Sequence, residues 1–226
     1  MTSEDTGAFY VVTIDGPAGA GKSSVAKRTA HELGIKYLDT GAIYRAIALI
    51  LAKSEIKPDS EEFLREALSE IKIELKENSV LVNGFDVSGE IRTSEVDELA
   101  SVYSAVPAVR ESLLTLQKEQ ENYGSLVAEG RDVGSVVFPD AKVKFFLTAS
   151  PEARAKRRYL ERISKGKEAD YNEILNSIKQ RDINDSTRKL APLSVPDGAV
   201  YLDTSDLTED EAVKFIVDHV RGALLK

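Results

Sequence analysis

Cysteine is absent from this 226-residue chain and histidine nearly so, with only His31 and His219. Without cysteine there are no disulfides, thiolate nucleophiles, iron–sulfur clusters or thiolate-bound zinc, and the usage fits a reducing compartment. Both histidines fall on predicted helices among charged residues and read as surface groups, so an acid–base mechanism built on imidazole is not expected. Long apolar runs are missing too. The first eight residues are polar, with Glu4 and Asp5, and the apolar run that follows spans six residues at most. That is neither a signal peptide nor a membrane span, and the expected location is the cytoplasm. Positive charge is in deficit, 30 Lys and Arg against 38 Asp and Glu for a net charge of -8, which argues against a sequence-blind nucleic-acid binder. Repeats, low-complexity linkers and a long exposed apolar stripe are also lacking, so a soluble monomer is expected.

What is present alternates. Phe9 to Ile14 is a β-branched apolar run, as a strand buried on both faces would be. From Lys22 to Leu33 apolar residues recur at helical spacing, and Gly34 ends the run. Ile35 to Asp39 predicts a second strand and Gly41 to Ala52 an apolar helix, the order expected of a parallel sheet covered by helices. After Pro58 the pattern changes. Ser60 to Ile71 looks helical, but Ile71 to Ser88 alternates apolar and polar residues, with turns at Glu77-Asn78 and Asn83-Gly84, as a small antiparallel patch would. Pro107 to Tyr123 then predicts a helix, Ser125 to Ala128 and Val143 to Leu147 strands, and Ala153 to Lys165 and Tyr171 to Thr187 charged helices about Gly166, a candidate hinge. Val200 to Leu202 is a last strand, and Thr208 with Glu211 forms a capping box before a helix running to Leu225. The economical reading is one α/β domain of the P-loop NTPase type, a parallel sheet flanked by helices with a small antiparallel β insertion.

Gly16-Pro17-Ala18-Gly19-Ala20-Gly21-Lys22-Ser23 matches G-x-x-x-x-G-K-[ST] and sits between a predicted strand and a predicted helix. Its glycines let backbone N–H groups turn inward around a phosphate. Lys22 then supplies charge to the β and γ oxygens, and Ser23, followed by Ser24, offers a hydroxyl to Mg²⁺. A dinucleotide fingerprint fails, because Gly19-x-Gly21 would need Gly or Ala at position 24 and meets Ser24. The guanine-reading N-K-x-D string of regulatory GTPases is missing as well. Instead, eleven Lys and Arg face six Asp and Glu between Arg154 and Lys189, a local net of +5 inside a remainder of -13. Guanidinium forks beside a P-loop suit phosphoryl transfer, in which donor and acceptor both bring negative charge. A carboxylate that orients Mg²⁺ could be Asp15, Asp39 or Glu129. Alternatives within the P-loop class are a kinase for another small acceptor and a nucleotide-dependent regulatory binding protein.

Ile14 to Ser23 (IDGPAGAGKS), Leu38 to Arg45 (LDTGAIYR), Glu129 to Asp132 (EGRD) with Gly134, Arg181-Asp182 and Asn184 to Arg188 (NDSTR) resemble, in order and spacing, the bacterial cytidylate kinases, a family of P-loop nucleoside monophosphate kinases. The resemblance implies transfer of a phosphoryl group from ATP, with Mg²⁺, to CMP or dCMP. It implies an acceptor-binding insertion at about 57–106 and a short helical lid at about 154–170 carrying Arg154, Arg157, Arg158 and Arg162, with Arg157 and Arg158 toward ATP. It places Thr40 and Arg45 in the acceptor region, Arg45 on the CMP phosphate, and Ser101, Arg110 and Asp132 on the cytosine edge. Asp185 and Arg181 would meet the ribose, and Arg131 and Arg188 the α-phosphate and the transferring phosphoryl group. Lys22, Arg131, Arg181 and Arg188 are thus the expected catalytic charges. Read without the resemblance, Asp132 also fits a cap of the next turn, Arg110 a solvated helix residue, and Asp185 an ion pair with Arg181 or Arg188 across one helical turn.

Overall fold

A computed structural model describes residues 9–76 and 79–225. The turn read at Glu77-Asn78 and the polar stretch Met1 to Ala8 lie outside these residues. The strands are Val11–Asp15 (β1), Lys36–Asp39 (β2), Ile73–Lys76 (β3), Ser79–Val82 (β4), Phe85–Asp86 (β5), Leu126–Gly130 (β6), Val143–Thr148 (β7) and Val200–Asp203 (β8). The α-helices are Lys22–Leu33 (α1), Thr40–Lys53 (α2), Glu61–Glu70 (α3), Ser94–Tyr103 (α4), Pro107–Lys118 (α5), Pro151–Ser164 (α6), Tyr171–Thr187 (α7) and Glu209–Leu224 (α8).

The run that opens the sequence pattern becomes β1, buried along its whole length at the centre of a parallel five-stranded sheet ordered β2-β6-β1-β7-β8. Period-two alternation divides its side chains between two cores. Val11, with Leu38, Leu126 and Ala128, packs on α2, α3 and α5 through Ile43, Ile47, Leu64, Val109 and Leu113. Val12 and Ile14, with Val127, Phe145 and Leu147, pack on α1 and α8 through Val25, Ala26, Val213 and Ile216. Ile14, Phe145 and Leu147 are fully buried, each contributing about 1.5–3 kcal/mol by removal from water.

The alternating segment forms an antiparallel sheet, β3-β4-β5, whose Val80 and Val82 pack on Ala42, Ala46 and Leu49 of α2. Sequence periodicity misplaces some boundaries. Phe9, 64% exposed, lies outside β1, and the helix expected over Pro107 to Tyr123 tightens after Lys118 into a 3-10 turn, Glu119–Tyr123, ahead of Gly124. Two of the elements that the sequence reading passed over bear on the site. The first is α4, capped by Thr93 and buried through Val96, Ala100 and Tyr103. The second is a single π-helical turn, Val133–Val137, in which Phe138 N–H donates to the Val133 carbonyl at 2.7 Å.

Parallel register brings the ends of β1, β2 and β6 abreast: Asp15 pairs with Gly130, and Asp39 with Glu129. The loops of all three strands therefore open on one edge of the sheet, where open α/β sheets bind ligands.

Candidate active site

The P-loop leaves β1 at Gly16, whose φ is +149° and where a Cβ would stand 1.8 Å from the Leu147 carbonyl oxygen, so only glycine passes beside β7. Gly21, at φ +89°, turns the chain into α1 with no side-chain cap. The loop's carbonyls are already engaged: Lys22 Nζ donates to Pro17 O at 2.9 Å, Arg154 Nη1 to Ala18 O at 3.0 Å, and Thr204 Oγ1 to Ala20 O at 3.2 Å. The N–H groups at the start of α1 are then the donors this geometry offers an anion. Ser24 Oγ donates to Gly21 O at 3.1 Å.

The three candidate carboxylates separate in space. Ser23 Oγ donates to Glu129 Oε1 at 2.6 Å, and Tyr37 reaches the same oxygen at 3.4 Å. Asp15, fully buried, spends both oxygens on Val133 N–H and Gly134 N–H at 2.7 Å each, which holds the π-helical turn in place. Burial pushes its carboxyl up to about 6 against those two hydrogen bonds. Asp39 caps α2 by accepting from Ala42 N–H at 2.8 Å and pairs with Arg45 and Arg92. Glu129 alone of the three stands beside the P-loop hydroxyl.

A cavity of about 750 Å³ runs from the P-loop to α4 and α5, within the usual size of a ligand cleft. Its lining counts ten Lys and Arg against six Asp and Glu. Lys22, Ser23, Ser24, Thr40, Arg45, Ser101, Arg110, Arg131, Asp132, Arg157, Arg158, Arg181, Asp185 and Arg188 all reach it. Thr40 Oγ1 donates to Glu129 O at 2.7 Å. Asp132 makes no side-chain cap of the turn it precedes; it pairs with Arg110, closely, and with Arg188 at 3.5 Å. Arg110 is accordingly no solvated helix residue: it also donates to Ser104 O and lies over the Tyr44 ring, 5.6 Å from its centre. Asp185, 4% exposed, pairs with neither Arg181 nor Arg188 within its own helix; it accepts from Arg131 Nε at 2.8 Å.

Burial sets the electrostatics. It opposes the charge of Arg131, but Asp185 and Glu129 outweigh it and hold that guanidinium above its ordinary range. Burial and Arg131 push Arg181 down to about 10, against Asp97 and Asp185. Burial also lowers Arg158 and Arg188, opposed by Asp97 and Asp132 respectively. For Asp185 burial acts upward, yet Arg131 keeps its carboxyl below the usual range.

Arg154, grouped by sequence with the lid arginines, is 3% exposed and belongs to the framework: it binds the carbonyls of Ala149 and Ala18 and a carboxylate on α7, Asp182. Arg157 reaches the cavity while donating to Thr204. Arg162 Nη2 donates to Ser94 Oγ at 3.0 Å. Sequence reasoning passed over Tyr44, Arg92 and Asp97, which also line the cavity. For Asp97 the signal was there, Thr93 as a cap followed by Val96, Ala100 and Tyr103 at helical spacing.

One solved structure, an uncharacterised protein from Eubacterium ventriosum, superimposes with a TM-score of 0.52 at 14% identity over 94% of this chain and 98% of its own, a likeness of fold alone. Relatives named cytidylate kinase are far nearer in sequence. That of Caldanaerobacter subterraneus subsp. tengcongensis is 48% identical over 93% of this chain and 94% of its own, that of Fervidobacterium nodosum 49% over 93% and 95%, and that of Mycobacterium leprae 46% over 93% and 95%. The family model described as cytidylate kinase matches residues 12–222, from the second residue of β1 into α8. By that match and those identities, the chain belongs to the cytidylate kinase family.

Proposed function

We propose that the protein transfers the γ-phosphoryl group of ATP to CMP and dCMP, giving ADP and the corresponding diphosphate. The observation that carries this reading is a single cavity that holds both the P-loop Lys22 and Ser23 and the Arg110–Asp132 pair. Its excess of four positive charges matches a CMP phosphate of about -2 together with a magnesium-neutralised ATP of about -2. The attacking atom is an anionic phosphate oxygen, so little remains for a general base to do. Positioning and charge from Lys22, Arg131, Arg181 and Arg188 then supply the rate. Arg45 and Thr40 orient the acceptor on α2, Asp185 and Arg181 the ribose, and Arg157 and Arg158 close over ATP from α6, with about 154–170 as lid, Gly166 as hinge and about 57–106 as acceptor region.

At the base, Asp132 accepts from the C4 amino group of cytosine, while Arg110 and Ser101 donate to N3 and O2. Uracil presents a carbonyl to that carboxylate, a buried mismatch of about 1–3 kcal/mol. Mg²⁺ fits the donor set at Ser23, a hydroxyl beside the Glu129 carboxylate, since it takes oxygen ligands and few protein groups. When bound, the ion neutralises the β and γ oxygens. The protein would act as a monomer in the cytoplasm, where these substrates are found. An ADP-release assay with ATP and a panel of acceptors tests the reading. CMP and dCMP should turn over well, UMP poorly and AMP scarcely; preference for AMP or shikimate would overturn it.

A further inference from the structure

Asp97 lies in the first turn of α4, and its side chain is about a third exposed. Its carboxylate faces cations from three other helices. One oxygen stands 3.6 Å from Nη1 of Arg45 on α2; the other stands 3.6 Å from Nη1 of Arg181 on α7 and 3.9 Å from Nη2 of Arg158 on α6. All three separations exceed hydrogen-bond length, so Asp97 supplies charge without taking up the donors. The donors keep a reserve: among the described residues, Nε of Arg45 and Nε of Arg181 are both buried without an acceptor. Asp39 also pairs with Arg45, at 3.1 Å, so two carboxylates share that guanidinium.

A carboxylate brings one charge and two oxygens to this triangle. A phosphate dianion brings two charges and three oxygens, enough to engage the unused Nε groups as well as the Nη groups. We infer that Asp97 is a positioning residue that stands in for substrate phosphate: its charge offsets the mutual repulsion of Arg45, Arg158 and Arg181 and gives way to phosphate oxygens on binding. Its charge also repels that phosphate. Asp97 thus lowers affinity for phosphate-bearing ligands while keeping the arginines gathered in their absence.

The inference rests on the assignment of Arg45 and Arg181 to the acceptor, which Arg45→Ala tests separately: it should raise the KM for CMP at least about tenfold. If it does not, the assignment fails, whereas the stand-in role of Asp97 is still decided by inorganic pyrophosphate, whose binding needs no nucleotide assignment. Full-length Asp97→Asn, nearly isosteric, should melt at a lower temperature without ligand yet bind pyrophosphate about five- to tenfold more tightly by calorimetry at low salt. Its KM for CMP should fall by a similar factor while kcat stays within about twofold. Asp97→Glu, which keeps the charge, should bind pyrophosphate like the parent. Unchanged or weaker pyrophosphate binding by Asp97→Asn would overturn the proposal, because a residue that merely capped α4 would lower the melting temperature without moving anion affinity. Tighter binding by Asp97→Glu as well would overturn it too, since the charge would then not be the cause.

Discussion

Lys22 does its work from a place that opposes its charge. Burial and the nearby Arg131 guanidinium push its ammonium down to about 7, with Glu129 and Asp15 pulling the other way. A polyphosphate arriving at the loop raises that value again, because an adjacent negative charge favours the protonated form. The sign follows: at about pH 8 the free protein holds Lys22 mostly neutral and the complex holds it charged, so ATP binding takes up a proton and weakens as pH rises through the free value. Calorimetry in buffers of different ionisation enthalpy should record close to one proton taken up at about pH 8, and none at this site in Lys22→Ala, which should also abolish transfer to every acceptor. Asp132 makes a second prediction at this scale. It touches Arg110 and Arg188 rather than the P-loop, so Asp132→Ala should cut kcat/KM for CMP by about ten- to a hundredfold or more while leaving ATP affinity nearly unchanged. Equal losses for both ligands would remove it from base recognition.

Among the elements, α6 and α7 are joined to the P-loop by one side chain. Arg154 rises from α6, binds both oxygens of Asp182 on α7 and donates to the carbonyl of Ala18, 136 residues away in sequence. Replacing it by methionine fills similar space but strands two carbonyls and a carboxylate. The expected cost is about 3 kcal/mol, read from urea unfolding, with a raised KM for ATP because the loop loses its brace. Asp182→Asn keeps both carbonyl contacts and should cost less. Arg157, Arg158 and Arg181, which line the cavity, lie on the two helices that this brace joins, which is why a framework residue and cavity residues share one charged segment.

For the molecule as a whole, the charge that defines its exterior is the opposite of the charge in its cavity. The chain carries -8 overall, yet the cavity lining is cationic, so anionic substrates are drawn to one place on an otherwise acidic surface. Because the central sheet, the antiparallel insertion's neighbour α4 and the paired helices α6 and α7 all line that cavity, a bound nucleotide should stabilise them together. CMP at a hundred times its Kd should add about 2.7 kcal/mol to the unfolding free energy, seen as one shifted transition by circular dichroism and tyrosine fluorescence. AMP at the same concentration should leave the transition where it is.

The strand, glycine turn and helix that open the chain, the alternating insertion and the capping box at Thr208 and Glu211 are all legible in the order of residues alone. They depend on residues within a few positions of one another, through backbone sterics, side-chain periodicity and turn chemistry. The motif strings around Lys22, Arg45 and Asp132 likewise carry their own spacing. Partnership across the fold does not. Of three acidic residues near the ends of neighbouring strands, Glu129 reaches Ser23 from 106 residues away while Asp15 is consumed by two backbone N–H groups and Asp39 by a helix start. The same holds for Asp185, which turns from its helical neighbours to Arg131, for Arg154, which packing ties to the framework, and for Asp97, whose facing arginines come from three other helices. A local pattern fixes which face a side chain takes. Which opposite charge waits there is decided by the packing of distant segments, and beside a cavity crowded with arginine that choice separates framework residues from those left lining the site.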